Sequence, residues 1–180
     1  QATSRQKMLD KLELSDLPMT TRKYPFIHFD QEREAGKDIL RVDSISKTID
    51  GIKILDDVSF VINKGDKVVF LSENDFALNT LFEILAGEQQ ADSGKVTWGV
   101  TTKMAYFPHE NTKYFQDGKY NLVDWLRQYS KDQTETYVRG FLGKMLFSGD
   151  DALKKTNVLS GGEKVRCMLS KIMMGKPNVL

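Results

Sequence analysis

The run Leu159-Ser160-Gly161-Gly162-Glu163-Lys164-Val165-Arg166 constrains this chain more than any other stretch, because it dictates how a helix begins and what that beginning can hold. Ser160 followed three residues later by Glu163 is a capping box, which starts a helix with Gly161 and Gly162 in its first turn. With no side chains on the two glycines, an anion can approach the unpaired N–H groups closely, and the helix dipole favours negative charge there. Val165, Met168, Leu169, Ile172 and Met173 recur at helical spacing and predict one core-facing stripe. Gly175 followed by Pro177 marks the helix end. A plainer reading, an ordinary capped helix after a flexible loop, stays open. By chance alone, Leu-Ser-Gly-Gly-Glu is expected on the order of once in a few thousand chains of this length.

The 180 residues, 40% of them hydrophobic, suit one domain with a sizeable core, alone or with an appended segment. A net charge of +1 gives no global argument for nucleic acid or membrane binding. The lone cysteine, Cys167, excludes an internal disulfide, is expected in the core, and suits a cytoplasmic chain. With only Cys167, His28 and His109 available, no Cys/His metal cluster can be assembled. No apolar run reaches the length of a membrane span and no signal-peptide core stands at the N-terminus, so a soluble protein is expected. Gln1 opens inside a polar, helix-like stretch, and Pro177 to Leu180 stop where a strand begins, which is the pattern expected of a fragment.

Residues 1–37 are polar and mixed in charge and read as a linker. Ile39 to Lys47 and Lys53 to Ile62 are β-branched runs joined by Asp50-Gly51, a hairpin turn dipeptide, and should pair antiparallel. Lys67 to Leu71 reads as a buried strand. Ala77, Leu78, Leu81, Phe82 and Leu85 then share a helical face closed by Gly87. Lys95–Trp98 and Lys103–Phe107 are expected as short strands, and helices are expected at about 121–129 and 134–147.

A buried strand followed by a helix is where a phosphate-binding loop belongs, yet the residues between them lack its chemistry. Such a loop needs glycines for inward-turned amides, a lysine for the β/γ-phosphates and a hydroxyl for magnesium. Aligned on Asn74 and Thr80, the glycine positions are Ser72, Asp75 and Ala77, the lysine position is Leu78, and the magnesium position is Asn79. Losing the lysine removes a contact of roughly 1.5–3 kcal/mol, and Asp75 adds repulsion toward a triphosphate. The stretch therefore reads as a degenerate phosphate loop with poor ATP binding, or else as a simple strand-to-helix turn.

The octapeptide resembles the signature motif of the ATP-binding cassette (ABC) superfamily. Together with Gln1 to Leu12, Tyr24-Pro25-Phe26-Ile27 and Phe141 to Gly149, it makes the chain resemble the second cassette of an ABC-F protein, close to the YbiT-like subgroup. The resemblance implies an α/β fold: a truncated P-loop NTPase cassette with an antiparallel β subdomain, an incomplete α/β core and a helical subdomain. It divides the chain into the end of an inter-cassette linker (1–37), the β subdomain and strand-loop-helix core (38–117), the helical subdomain (118–157) and the signature helix (158–180). Ile49 falls where the family has an adenine-stacking aromatic, and His109 falls where it has a magnesium-binding glutamine, although a solvated loop histidine is the plainer reading.

The same resemblance implies that Ser160, Gly161, Gly162 and Glu163 complete an ATP and Mg2+ site with the first cassette of the same polypeptide. The magnesium-binding aspartate, catalytic glutamate and switch histidine of the family are absent from these residues, so this chain alone is expected not to hydrolyse ATP. The implied partners are the first cassette, the ribosome and tRNA, with no membrane. Arg5, Lys7, Lys11, Arg22 and Lys23 could touch RNA phosphates, though interleaved acids also suit a solvated linker. Two alternatives remain: the ATP-binding subunit of an ABC membrane transporter, which shares the signature, and a non-hydrolysing interaction module.

Overall fold

The computed structural model describes residues 23–116 and 118–180. Gln1 to Leu12, the basic residues Arg5, Lys7, Lys11 and Arg22, and the expected linker up to residue 22 lie outside the described residues.

Strand β1 (Asp38–Ile49) and strand β2 (Ile52–Asn63) form the expected antiparallel hairpin. Asp50 and Gly51 both adopt positive φ, 51° and 80°, the twist that a two-residue hairpin loop requires. Strand β3 (Ser93–Trp98) pairs antiparallel with the other edge of β1, giving the order β2-β1-β3. Gly94, at φ 89°, lies so close to β1 that a Cβ would sit 2.3 Å from the Ser44 carbonyl oxygen. Helix α1 (Asp75–Ala86) packs on this sheet, and Gly87 ends it in the left-handed conformation. The Trp98 indole N–H donates to the Leu85 carbonyl at 3.1 Å, fixing helix to sheet.

A second core is built mainly by helices and the loops between them. Helix α2 (Leu122–Arg127), helix α3 (Glu135–Lys144) and helix α4 (Gly161–Gly175) enclose Leu122, Leu126, Val138, Leu142, Met145 and Met168, each essentially inaccessible to solvent. Cys167 is buried here as its position implied, and burial pushes its thiol up to about 12. On the α4 stripe, Met168, Ile172 and Met173 are buried, but Val165 is 39% exposed because it sits in the helix's free first turns.

Two expected strands are not formed. Lys67 to Leu71 carries no ladder, and Val69 and Leu71 are 80% and 91% exposed. A buried parallel strand needs hydrogen-bonded neighbours, and among the described residues none runs alongside this one. Only Phe70 is anchored, edge-on between Phe60 of β2 and Phe82 of α1 at 5.2 and 5.4 Å. Lys103 to Phe107 likewise shrinks to a single parallel bridge, Met104 to Val179.

Residues 23–37 have no regular secondary structure and dock on both layers as a strap. The Phe26 amide donates to the Lys144 carbonyl at 2.8 Å and the Glu32 amide to the Lys176 carbonyl at 3.2 Å, both in the helical layer. Arg33 donates to the carbonyls of Val100 and Thr101, and Gly36 to the Thr101 hydroxyl, on the β side. The Glu32 carboxylate is shared by Lys103 and Lys131, which hold it down at about 2.

Candidate nucleotide-binding site

The start of α4 is built by its own sequence. Ser160 is the N-cap in extended conformation, its hydroxyl oxygen accepts from the Glu163 amide at 3.4 Å, and the Ser160 amide donates back to Glu163 Oε2 at 2.8 Å. The Ser160 hydroxyl also donates to that oxygen at 2.7 Å. These bonds, with Lys154 Nζ at 3.1 Å, hold the Glu163 carboxyl at about 2. Lys154 bridges further to Asp151 at 2.8 Å.

The approach to this cap is fixed by the helical layer. The Leu122 amide donates to the Lys154 carbonyl and the Thr156 amide to the Tyr120 carbonyl, each at 3.1 Å, while Leu159 is buried. Ser160, Gly161 and Gly162 then emerge into solvent. Neither glycine has positive φ, and a Cβ built on either meets nothing within 4 Å. The fold itself therefore gives no reason for glycine at these positions. Among the described residues the Gly161 and Gly162 amides find no acceptor, so an exposed pair of donors stands at the positive end of a 15-residue helix.

The start of α1 is closed by contrast. Asn74 caps it, with Oδ1 accepting from the Phe76 amide at 3.0 Å and the Asn74 carbonyl accepting from Ala77 at 3.1 Å. The Ser72 hydroxyl accepts from the Asn74 amide at 3.0 Å, which turns the loop tightly. Asp75 stands in the first turn, Leu78 and Asn79 are half-buried within the helix, and the buried Thr80 hydroxyl donates to the Phe76 carbonyl at 2.8 Å. Among the described residues no cation or turned-in amide pair stands here for a triphosphate, and the Thr80 hydroxyl is spent on its own helix, so these residues do not fit a triphosphate with its Mg2+.

The structure brings His109 to this second place, where it shares a cleft of about 150 Å³ with Asn79, Thr80, Glu83 and Glu110. His109 is exposed. Ile49 lies at the hairpin tip, half-buried and paired with Ile52. The signature residues stand on a different element, α4. Sequence reasoning missed Lys154, whose pairing with Glu163 spans an irregular loop and has no periodic signal. It also missed the packing of Lys171, whose ammonium lies 4.3 Å from the Tyr114 ring and 4.6 Å from the Tyr129 ring and is pushed down by burial.

The family model described as ABC transporter matches residues 55–180. The protein named "Uncharacterized ABC transporter ATP-binding protein YkpA" of Bacillus subtilis (strain 168) is 58% identical over 100% of this chain and 34% of its own length. The protein named "Probable ATP-binding protein YbiT" of Escherichia coli O157:H7 is 34% identical with the same coverages. The chain thus spans about a third of the length of these relatives. A nucleotide-free ATP-binding cassette from an ABC transporter superposes with a TM-score of 0.51 at 22% identity, over 78% of this chain and 66% of that one, which shows the fold. Among the described residues no helix is long and apolar enough to cross a membrane.

Proposed function

The chain belongs to the ATP-binding cassette family, among the ABC-F-type ATP-binding proteins, and from that premise we propose that it is the second cassette of a soluble, cytoplasmic tandem ATPase acting on the ribosome in translation. In this reading its signature helix completes the ATP site of the first cassette, while its own phosphate loop is degenerate. The observation that carries the reading is the contrast between two helix starts. Gly161 and Gly162 offer open, unpaired amides that the fold does not need as glycines, whereas Asn74 has closed α1.

Bound ATP with its Mg2+ would supply the phosphoanhydride to be cleaved. The chain's part is electrostatic: two amides and a helix dipole aimed at a terminal phosphate, with Ser160 oriented by an ionised Glu163. Lys154 offsets the negative charge that Glu163 would otherwise present to the phosphate. The proposed segments are the linker end at 1–37, the β subdomain and core at 38–117, the helical subdomain at 118–157 and the signature helix at 158–180.

Replacing Ser160→Arg in the tandem protein should lower ATP turnover at least tenfold, and unchanged turnover would sink the shared site. Ribosome binding is tested by co-sedimentation with ATP, using a tandem protein whose first-cassette catalytic glutamate is replaced by glutamine. ATP-dependent pelleting is expected. Failure to pellet, with ATP uptake confirmed, favours the ATP-binding subunit of a membrane transporter.

A further inference from the structure

A cleft of about 300 Å³ between the strap and α3 has no part in the nucleotide site described above. Two pairs of rings line it. Phe26 and His28 on the strap have centroids 6.0 Å apart, and Tyr137 and Phe141 on α3 lie 6.1 Å apart. Phe26 is 56% exposed and Tyr137 37%, so burial does not account for their being aromatic. The strap backbone that carries the first pair is held in place, because the Phe26 amide is bonded to the Lys144 carbonyl and the His28 amide to the Met173 sulfur at 3.3 Å.

The charges in the cleft point to an anionic partner. The Lys144 ammonium lies over both Phe26 and Phe141, at 5.6 and 5.5 Å, and Lys176 stands at the rim. Among the described residues Asp30 is the one carboxylate lining the cleft, and it already pairs with His28 at 3.0 Å. Exposed, fixed aromatic faces beside ammonium groups are how proteins hold unpaired nucleic-acid bases, with the rings stacking on the base and the cations meeting the phosphates. Asp30 and the Thr136 hydroxyl supply acceptors for a ribose 2′-hydroxyl, the group that separates RNA from DNA.

We propose that this cleft takes an unpaired base of single-stranded RNA between the strap rings and the α3 rings, with the adjoining phosphates on Lys144 and Lys176. An acidic peptide would use the lysines but leave the exposed rings of Phe26 and Tyr137 unused. Met173 and Lys176 come from the far end of the signature helix, so RNA contact and phosphate contact would sit at opposite ends of one rigid element. The proposal rests on the ribosomal reading only for where the RNA is met.

The test is fluorescence anisotropy of a labelled decauridylate RNA with the full 180-residue chain at low salt. Saturable binding is expected, weakened at least about fivefold by Phe26→Ala or Tyr137→Ala and preserved by Phe26→Trp. Lys144→Ala should flatten the salt dependence by about 0.7 in log–log slope. Absence of RNA binding, an unchanged affinity in both alanine variants, equal binding of decadeoxyuridylate, or equal competition by polyglutamate overturns the proposal. The assay contains neither ATP nor ribosomes. Oligonucleotide binding without ribosome pelleting would therefore remove the ribosomal function and leave the cleft, and the reverse result would remove the cleft alone.

Discussion

Gly162 separates what the fold needs from what the site needs. A methyl group there meets nothing within 4 Å and suffers no φ penalty, so Gly162→Ala should stabilise the isolated chain by about 0.4–1 kcal/mol through the unfolded state. The same methyl group stands where a phosphate would approach, so ATP turnover of the tandem protein should fall. Chemical denaturation and turnover read on the same variant check both halves. Glu163 makes a second prediction. Its carboxyl sits at about 2 against an ordinary 4.5, so its contribution is whole above pH 4.5 and is lost as pH falls toward 2. Denaturation midpoints at pH 5 and pH 3 should therefore converge between wild type and Glu163→Gln as the solution becomes more acidic, and a constant gap would refute the assignment. The capping box itself was legible, because both of its partners lie within one helical turn. Lys154 was not, since its position relative to Glu163 is set by an irregular loop anchored on Tyr120 and Leu122.

At the scale of elements, the hairpin, α1 and α4 follow their sequence signals because each is specified locally, by a turn dipeptide, an Asn or Ser cap and an apolar period. The stretch Lys67 to Leu71 shows where such signals stop. Its β-branched pattern is a preference that only neighbouring strands can realise, and the described residues offer it none. The exposed run is a template for strand addition between copies. The chain should therefore self-associate as concentration rises into the tens of micromolar or above, and Val69→Lys with Leu71→Lys should suppress this, as followed by light scattering. Equal association in the double variant would show that another surface is responsible. The helical layer reads well at Leu122, Leu126, Val138 and Leu142. Phe141 packs against that core from the edge of the stripe and also lines the cleft, and periodicity alone does not reveal the second contact.

For the molecule as a whole, two hydrophobic cores lie on either side of a strap that touches both. This docking is not legible in the sequence, since residues 23–37 have neither helical nor strand periodicity and their contacts run to residues far along the chain. Exposed ion pairs of the Glu32 kind contribute about 0–1 kcal/mol each. Glu32→Gln should thus leave global stability nearly unchanged. It should nonetheless speed hydrogen exchange at the Phe26 amide while leaving the buried Leu126 amide as slow as before, and equal exchange at Phe26 would show that the strap does not depend on this carboxylate. The strap also has a mechanical meaning. A pull applied at Lys23 reaches the Phe26–Lys144 bond before any element of the β layer, and Lys144 ends the helix that carries Tyr137 and Phe141. The segment is thus a tendon inserted on the helical lobe, and tension on it would load that lobe first.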